Sequence, residues 1–90
     1  MSYTVSYAEK AIAGLRQLDS RLQEEVLDEV EAVALEPQLL KVRPAAPHAY
    51  FDFVRDWGGI RHYVFLTIHR DDAAANLEVL AIGHVSRPVP

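Results

Sequence analysis

Cysteine is absent from this chain, and methionine and tryptophan occur once each. Without cysteine, neither a disulfide framework nor a thiolate metal site can form. No apolar run approaches the roughly 20 residues that a membrane-spanning helix needs. The N-terminus has no basic segment leading into an apolar one, so we expect no secretory signal and no membrane partner, and a cytoplasmic location is the simplest expectation.

Positive charge is scarce in the first part of the chain. Residues 1–39 carry three basic and eight acidic side chains, whereas residues 40–90 carry six basic and five acidic ones and all four histidines. A protein that grips nucleic acid mainly through phosphates needs a strongly positive surface. The net charge of −4 argues against that class of protein, and the acidic part is typical of a solvated helical face. The 90 residues are expected to form one small domain, 1–90.

Two helices are predicted near the N-terminus. Polar and apolar residues alternate over residues 3–7, a pattern typical of a short strand. Apolar residues then recur at helical spacing over residues 8–18 and again over residues 22–35. Pro37 ends this region, because the residue before a proline resists helical geometry. The pattern therefore predicts a helical hairpin whose apolar stripes face a sheet.

Capping boxes are predicted at the start of both helices. Ser6 with Glu9, and Ser20 with Gln23, have the spacing at which each side chain satisfies a backbone N–H of the first turn.

Three β-patterned runs follow, at residues 50–56, 60–69 and 77–83. Gly58 and Gly59 separate the first two, since glycine supplies the positive φ angles of a tight hairpin turn. Pro88 and Pro90 predict a non-strand tail. The runs indicate an antiparallel meander placed after the two helices.

The middle run separates into two faces. Ile60, His62, Val64, Leu66 and Ile68 share the side predicted to pack on the helices. The other side is aromatic and polar together, and consists of Arg61, Tyr63, Phe65, Thr67 and His69. This second face suits a binding surface, or a half-exposed sheet whose aromatic rings cover their neighbours. Arg61 in turn is either functional or an ion-pair partner of Asp52 or Asp56.

The ordered combination of TVSYAEKAIAGLRQL, GGIRHYVFLTI and LEVLAIGHVSR resembles the RelE/ParE superfamily of bacterial toxins, of the plasmid-stabilisation type. The resemblance implies an α+β fold of order β-α-α-β-β-β, with a helical hairpin packed on one face of a small, mainly antiparallel sheet. It also implies the toxin half of a type II toxin–antitoxin pair, with a small antitoxin as partner and no cofactor. The RelE-like branch cuts messenger RNA on the ribosome, whereas the ParE-like branch inhibits DNA gyrase.

Carried over residue by residue, the resemblance gives Arg61, His84 and Arg87 as candidate catalytic residues. The strand before the glycine turn usually offers lysines in RelE-like nucleases. Phe51 and Phe53 stand at the apparent equivalents here. The C-terminal tyrosine of the active nucleases is replaced by a Pro-Val-Pro tail. Candidate partner-binding residues are Phe51, Phe53, Arg55, Tyr63 and Phe65.

Three functions stay open on the sequence. The first is a toxin that binds a protein target such as DNA gyrase. The second is a degenerate superfamily member that keeps the fold as a binding module, and the third is a ribosome-dependent endoribonuclease. A homodimer is compatible with each. A metal site at His48, His62, His69 and His84 is not expected, because no metal-binding spacing supports it.

Overall fold

The computed structural model describes residues 2–90 and confirms the α+β architecture. The elements in chain order are β1 (Thr4–Tyr7), α1 (Glu9–Arg16), α2 (Ser20–Leu35), a 3-10 turn (Pro37–Leu39), β2 (Ala49–Trp57), β3 (Ile60–Asp71) and β4 (Asn76–Pro88). Within residues 2–90, no helix is long and apolar enough to cross a membrane.

One four-stranded sheet organises the chain, in the order β1-β4-β3-β2. β1 runs parallel to β4, whereas the β2–β3 and β3–β4 pairs are antiparallel. The two-residue turn at Gly58 and Gly59, both with positive φ, fixes the register of β2 against β3, so that Trp57 lies opposite Ile60. An irregularity between Thr67 and Ile68 shifts the register of β3 against β4.

The last strand is longer than the sequence predicts. The apolar pattern ends near Gly83, but β4 stays paired with β3 until Pro88 lies opposite Ile60. β1 pairs with β4 only at residues 76–79, so the distal part of β4 is an edge on its other side. A proline on an edge strand loses no ladder hydrogen bond there, and the prediction of a non-strand tail at Pro88 is wrong for this reason.

The predicted capping box of α1 is also wrong. The N-cap is Ala8, which makes no side-chain capping hydrogen bond. Ser6 belongs to β1 instead, and its Oγ accepts a hydrogen bond from Asn76 Nδ2 at 3.1 Å.

The N-cap of α2 lies one residue before the predicted one. Asp19 is the cap, and its carboxylate accepts a hydrogen bond from the Leu22 N–H at 2.8 Å. Gln23 donates through its amide to the Leu18 carbonyl at 2.8 Å rather than closing a box with Ser20. Aspartate is a strong N-cap residue, so α2 begins at Ser20, one residue earlier than the predicted cap implies.

The core lies between the helices and one face of the sheet. Its buried side chains are Ala11, Leu18, Leu22, Val26, Val30, Val33, Ala34, Phe53, Val64, Leu66, Ile68, Leu77, Val79 and Ile82. The predicted inner face of the middle strand is confirmed, because Val64, Leu66 and Ile68 are at most 1% exposed.

Helix α1 packs closely against β4 at Gly14. A Cβ atom at this position would lie 2.5 Å from the Ile82 carbonyl oxygen, a distance that real Cβ atoms essentially never show. Because the contact is with backbone, the helix can lie at this distance from the strand only if residue 14 has no side chain.

Gly14→Ala is therefore expected to destabilise the fold, although alanine is the better helix former. The helical gain of about 1 kcal/mol is outweighed by an overpacking cost of about 1–3 kcal/mol. Urea unfolding measures the change in the free energy of unfolding. The control is Ala13→Gly on the exposed side of the same helix, expected to cost about 1 kcal/mol through propensity alone. A Gly14→Ala variant more stable than the wild type would contradict the close packing.

Candidate functional site

The sheet face turned away from the helices, which we call the outer face, is the candidate site. Residues directly opposite each other on paired strands point to the same side of a sheet. The register of β2, β3 and β4 therefore builds three cross-strand rows on this face. The rows are Asp56–Arg61–Arg87, Val54–Tyr63–Val85 and Asp52–Phe65–Gly83.

The central row and the adjacent Phe65 together form an apolar strip. Val54, Phe65 and Val85 are 45%, 46% and 41% exposed, high values for large apolar side chains on one sheet face. Tyr63, Phe65 and Val85 line a shallow depression of about 320 Å³ together with Arg87. The Phe65 ring lies across the strands from Gly83, at 3.7 Å from where a Cβ atom would be, an ordinary van der Waals distance. An exposed apolar patch with a charged rim is typical of a protein-binding surface.

Arg61 is held by an acidic neighbour on the outer face. Its Nε and one terminal nitrogen donate to the two carboxylate oxygens of Asp56, each at 2.9 Å. This hydrogen bonding raises the pKa of Arg61 and lowers the pKa of Asp56. Both partners are partly exposed, so the pair adds little to stability. The ion pair considered in the sequence thus forms with Asp56, and it neutralises the charge of Arg61.

Arg87 supplies the other positive charge of this face. It lies directly opposite Arg61 on β4 and makes no ion pair within residues 2–90. The neighbouring strand β2 contributes Asp52, Val54 and Asp56, none of them basic. Lys41 reaches this region but binds the Asp52 carboxylate at 2.7 Å. The outer face therefore offers Arg87 as a cation without a carboxylate partner.

His84 lies on the opposite side of the sheet. It faces Val64 across the strands, on the side that packs against the helices. The structure brings Arg61 and Arg87 together and separates His84 from both. The catalytic roles predicted for the three residues stay predictions, but they do not share one surface.

His84 instead pairs with His62. The Nε2 atom of His84 lies 3.2 Å from Nδ1 of His62. The ring planes differ by 15°, and the nitrogens are much closer than the ring centroids, which are 5.4 Å apart, so the rings meet nitrogen to nitrogen. Such a hydrogen bond needs an N–H on one ring and a lone pair on the other. Two imidazoles alone also fall short of the three or four protein ligands that a zinc site uses.

A small aromatic stack surrounds this histidine pair. Trp57 packs on His62 with ring centroids 4.4 Å apart, and the guanidinium of Arg21 lies 4.2 Å from the Trp57 ring centre. Burial, and then the neighbouring His62, lower the pKa of His84, while Asp19 acts in the opposite sense. The outer nitrogen of His62, Nε2, is buried without a hydrogen-bond partner in the described chain.

The predicted partner-binding set is divided between the two faces. Phe51, Phe53 and Arg55 lie opposite Leu66, Val64 and His62, all on the helix side. Phe53 is in the core, and Arg55 binds Glu25 and Glu29 of α2. Only Tyr63 and Phe65 of that set lie on the outer face.

Sequence reasoning missed Val54 and Val85, and a signal for Val54 was present. A two-residue turn after Trp57 pairs Trp57 with Ile60, and counting back along the hairpin places Val54 opposite Tyr63. Val85 had no such signal, because the predicted strand ended before it.

The four histidines form two separate pairs. His48 and His69 meet edge to face with centroids 5.7 Å apart, away from the His62–His84 pair. Among the described residues, no group of three or more His, Asp or Glu side chains could hold a metal ion.

No family model and no curated protein matches the sequence. Solved structures do match. An Escherichia coli RelE toxin with two arginines replaced by alanine, in the free state, superimposes with a TM-score of 0.74 at 20% identity, over 92% of this chain and 83% of that one. The RelBE2 toxin–antitoxin complex of Mycobacterium tuberculosis gives 0.70 at 22% identity, over 94% and 93% of the two chains. This chain has the RelE toxin fold.

The RelE fold extends to more distant relatives. The archaeal RelE–RelB complex of Pyrococcus horikoshii matches with a TM-score of 0.59 at 14% identity, over 91% of this chain and 93% of that one. The RelE/ParE resemblance of the sequence is therefore confirmed at the level of the fold. On this scaffold, the outer face of the chain carries the apolar row, the Arg61–Asp56 pair and two acidic residues of β2.

The histidine pair generates a pH prediction for the fold. Because the pKa of His84 is lowered in the folded state, the unfolded chain takes up this proton first as the pH falls. The contribution of His84 to the free energy of unfolding is therefore fully present above the ordinary histidine pKa of about 6.5 and is lost as the pH falls below it. The urea concentration at which half of the wild type is unfolded is therefore expected to be lower at about pH 5.5 than at about pH 7.5.

His84→Gln should flatten this dependence, and His69→Gln, at an exposed histidine outside the pair, should leave it unchanged. Equal pH profiles for the wild type and His84→Gln would contradict the assignment of the loss to His84.

Proposed function

We propose that this protein is the toxin of a toxin–antitoxin pair and that it arrests growth by binding a protein target through the outer face. DNA gyrase is the precedent that the ParE-like branch of the superfamily offers. The RelE fold supports the toxin assignment, and the solved relatives are named as toxins and toxin–antitoxin complexes. The observation that carries the mode of action is the exposed row of Val54, Tyr63 and Val85.

RNA cleavage is the less favoured chemistry for this face. Attack by the ribose 2′-hydroxyl needs a base, an acid and cations for the charge that develops on phosphate. His84 faces the helices, and the charge of Arg61 is already compensated by Asp56. Lys41, another cation near this face, is compensated in the same way by Asp52. The remaining cation, Arg87, is not enough for these roles.

A cognate antitoxin is part of the proposal. The matching structures include the RelBE2 toxin–antitoxin complex of Mycobacterium tuberculosis and the RelBE toxin–antitoxin complex of Escherichia coli. By analogy, a small partner protein would bind this chain and suppress its activity. We expect the protein to act in the cytoplasm, because it would encounter both gyrase and an antitoxin there.

A ribosome-dependent endoribonuclease remains the second candidate, because Arg61 and Arg87 lie side by side on one face of a RelE fold. Two adjacent guanidinium groups suit a phosphate if Asp56 releases Arg61 on binding. A degenerate binding module is the third candidate, and it differs from the first only in lacking toxicity.

Induced expression in a bacterial host separates these functions. The wild type is expected to arrest growth, and Val54→Glu, which places a charge in the apolar row, to relieve the arrest by at least tenfold in surviving colonies. The matched control is Ala13→Glu, on the exposed side of α1, which should arrest growth like the wild type. Thermal midpoints of the purified variants establish that all are folded. Labelling of new DNA should fall before labelling of new protein, with messenger RNA intact.

Other outcomes would contradict the protein-binding mode. Arrest that survives Val54→Glu but is lost in Arg61→Ala and Arg87→Ala, with cleaved messenger RNA, would establish the endoribonuclease. Normal growth with soluble, folded wild type would favour the degenerate module.

A further inference from the structure

Two depressions adjoin each other on the outer face, and the Phe65 side chain lines both. The first is the shallow depression that Arg87 borders. The second, of about 430 Å³, lies between the sheet and the loop that precedes β2, and Arg43 of that loop lines it. Tyr63 lines only the first depression and Thr67 only the second. The depressions therefore follow each other along β3 at a separation of about 13 Å, the length of four strand residues.

Each depression has an arginine without a carboxylate partner. Arg87 and Arg43 make no ion pair in the part of the chain that the structure describes. The Arg43 guanidinium instead lies 4.3 Å from the centre of the Tyr50 ring. Asp52 also lines the second depression, but Lys41 compensates its charge at 2.7 Å. The apolar strip is therefore bordered by two positive charges that its own chain leaves uncompensated.

Helix α2 presents a complementary surface on the other side of the molecule. Leu27 and Leu35 are large apolar side chains that are 44% and 65% exposed. Glu24, Asp28 and Glu31 are also exposed, and they form no ion pair among the described residues. With 3.6 residues per turn, these five positions fall within an arc of about 100° around the helix. One side of α2 is therefore both apolar and acidic.

The spacing of the two leucines matches the spacing of the two depressions. A helix rises about 1.5 Å per residue, so Leu27 and Leu35 are about 12 Å apart along α2. The depressions are separated by about 13 Å along β3. Asp28 and Glu31 lie between the leucines along the helix axis. The α2 surface therefore offers two apolar groups and intervening carboxylates to a face with two apolar depressions and two arginines.

We infer that α2 of one copy of this protein docks on the outer face of a second copy. Leu27 and Leu35 enter the two depressions on either side of Phe65. The carboxylates of α2 between the leucines pair with Arg43 and Arg87 of the second copy. This association does not depend on whether the protein is toxic. Its consequence rests on the proposed function, since a copy docked on the outer face excludes a target from it.

The contact is head to tail. Helix α2 packs on one face of the sheet, and the depressions are on the other face. Two copies therefore cannot exchange the same contact, and each pair leaves one α2 surface and one outer face free. Further copies add at these free surfaces, so the association grows with concentration instead of stopping at a dimer. Because the paired charges lie at the surface, added salt weakens the association.

Sedimentation velocity of the full chain tests the inference. The sedimentation coefficient of the wild type is expected to rise over about a hundredfold range of protein concentration, because association follows mass action. At high salt, the same rise should need a higher protein concentration.

Charge reversal on either surface should weaken the contact. The α2 variant is Asp28→Lys with Glu31→Lys, and the outer-face variant is Arg43→Glu with Arg87→Glu. In each variant like charges meet, and the affinity should fall at least about tenfold. An equimolar mixture of the two variants should associate again, because the lysines of one then meet the glutamates of the other. Circular dichroism establishes that both variants are folded.

The controls are Glu9→Lys and Arg16→Glu, which reverse charges at exposed positions of α1 and should associate like the wild type. Three results would overturn the inference. They are a wild type that is monomeric over the whole range, variants that associate as strongly as the wild type, and a mixture of the two variants that stays monomeric. None of these readouts involves growth, so failure here is distinct from failure of the proposed function.

Discussion

One packing constraint governs this structure: two short helices can cover only one face of the sheet. Helix α1 lies against β4 at a distance set by the missing side chain of Gly14, which faces the Ile82 carbonyl. Since residues of a strand alternate between faces, burying Val64 and Leu66 under the helices necessarily turns Tyr63 and Phe65 outward. The exposed apolar row is thus a consequence of how the core is built.

The same alternation explains how the chemistry of the site is divided. Arg61 and Arg87 share the outer face, while His84 lies on the helix side of the sheet and pairs with His62. A phosphate-cleaving centre would need these groups on one surface, with the cations uncompensated. Here the Asp56 carboxylate binds the Arg61 guanidinium, so the charges of the outer face nearly cancel around its apolar centre. That combination is suited to a protein surface rather than to a polyphosphate chain.

Local patterns predicted most of the fold but little of the site. Helical spacing and alternation located both helices and the meander, since these signals depend on near neighbours in the chain. The extension of β4 to Pro88 depends on pairing with β3, and no property of the tail itself indicates it. The position of Phe51 and Phe53 on the helix side, rather than with Tyr63 and Phe65, could not be predicted for a related reason. Their orientation follows from the hairpin register, whereas aromatic character alone does not distinguish a core face from an exposed one.

The charge asymmetry of the sequence has a structural counterpart that composition could not locate. Many acidic residues of the first part of the chain lie on α2, where Glu25 and Glu29 bind Arg55 and Glu31 lines the depression between α2 and β1. The molecule therefore presents two chemically different surfaces, an apolar outer face with balanced charges and an acidic edge.

Photo-cross-linking from the outer face tests the central claim most directly. A photoreactive amino acid is placed at Val54, and for comparison at Ala13 on the exposed side of α1, in protein expressed in growth-arrested cells. The account predicts a protein adduct, identified by mass spectrometry, from position 54 and not from position 13. Adducts with RNA from position 54, or arrest without any adduct there, would contradict a protein-binding outer face.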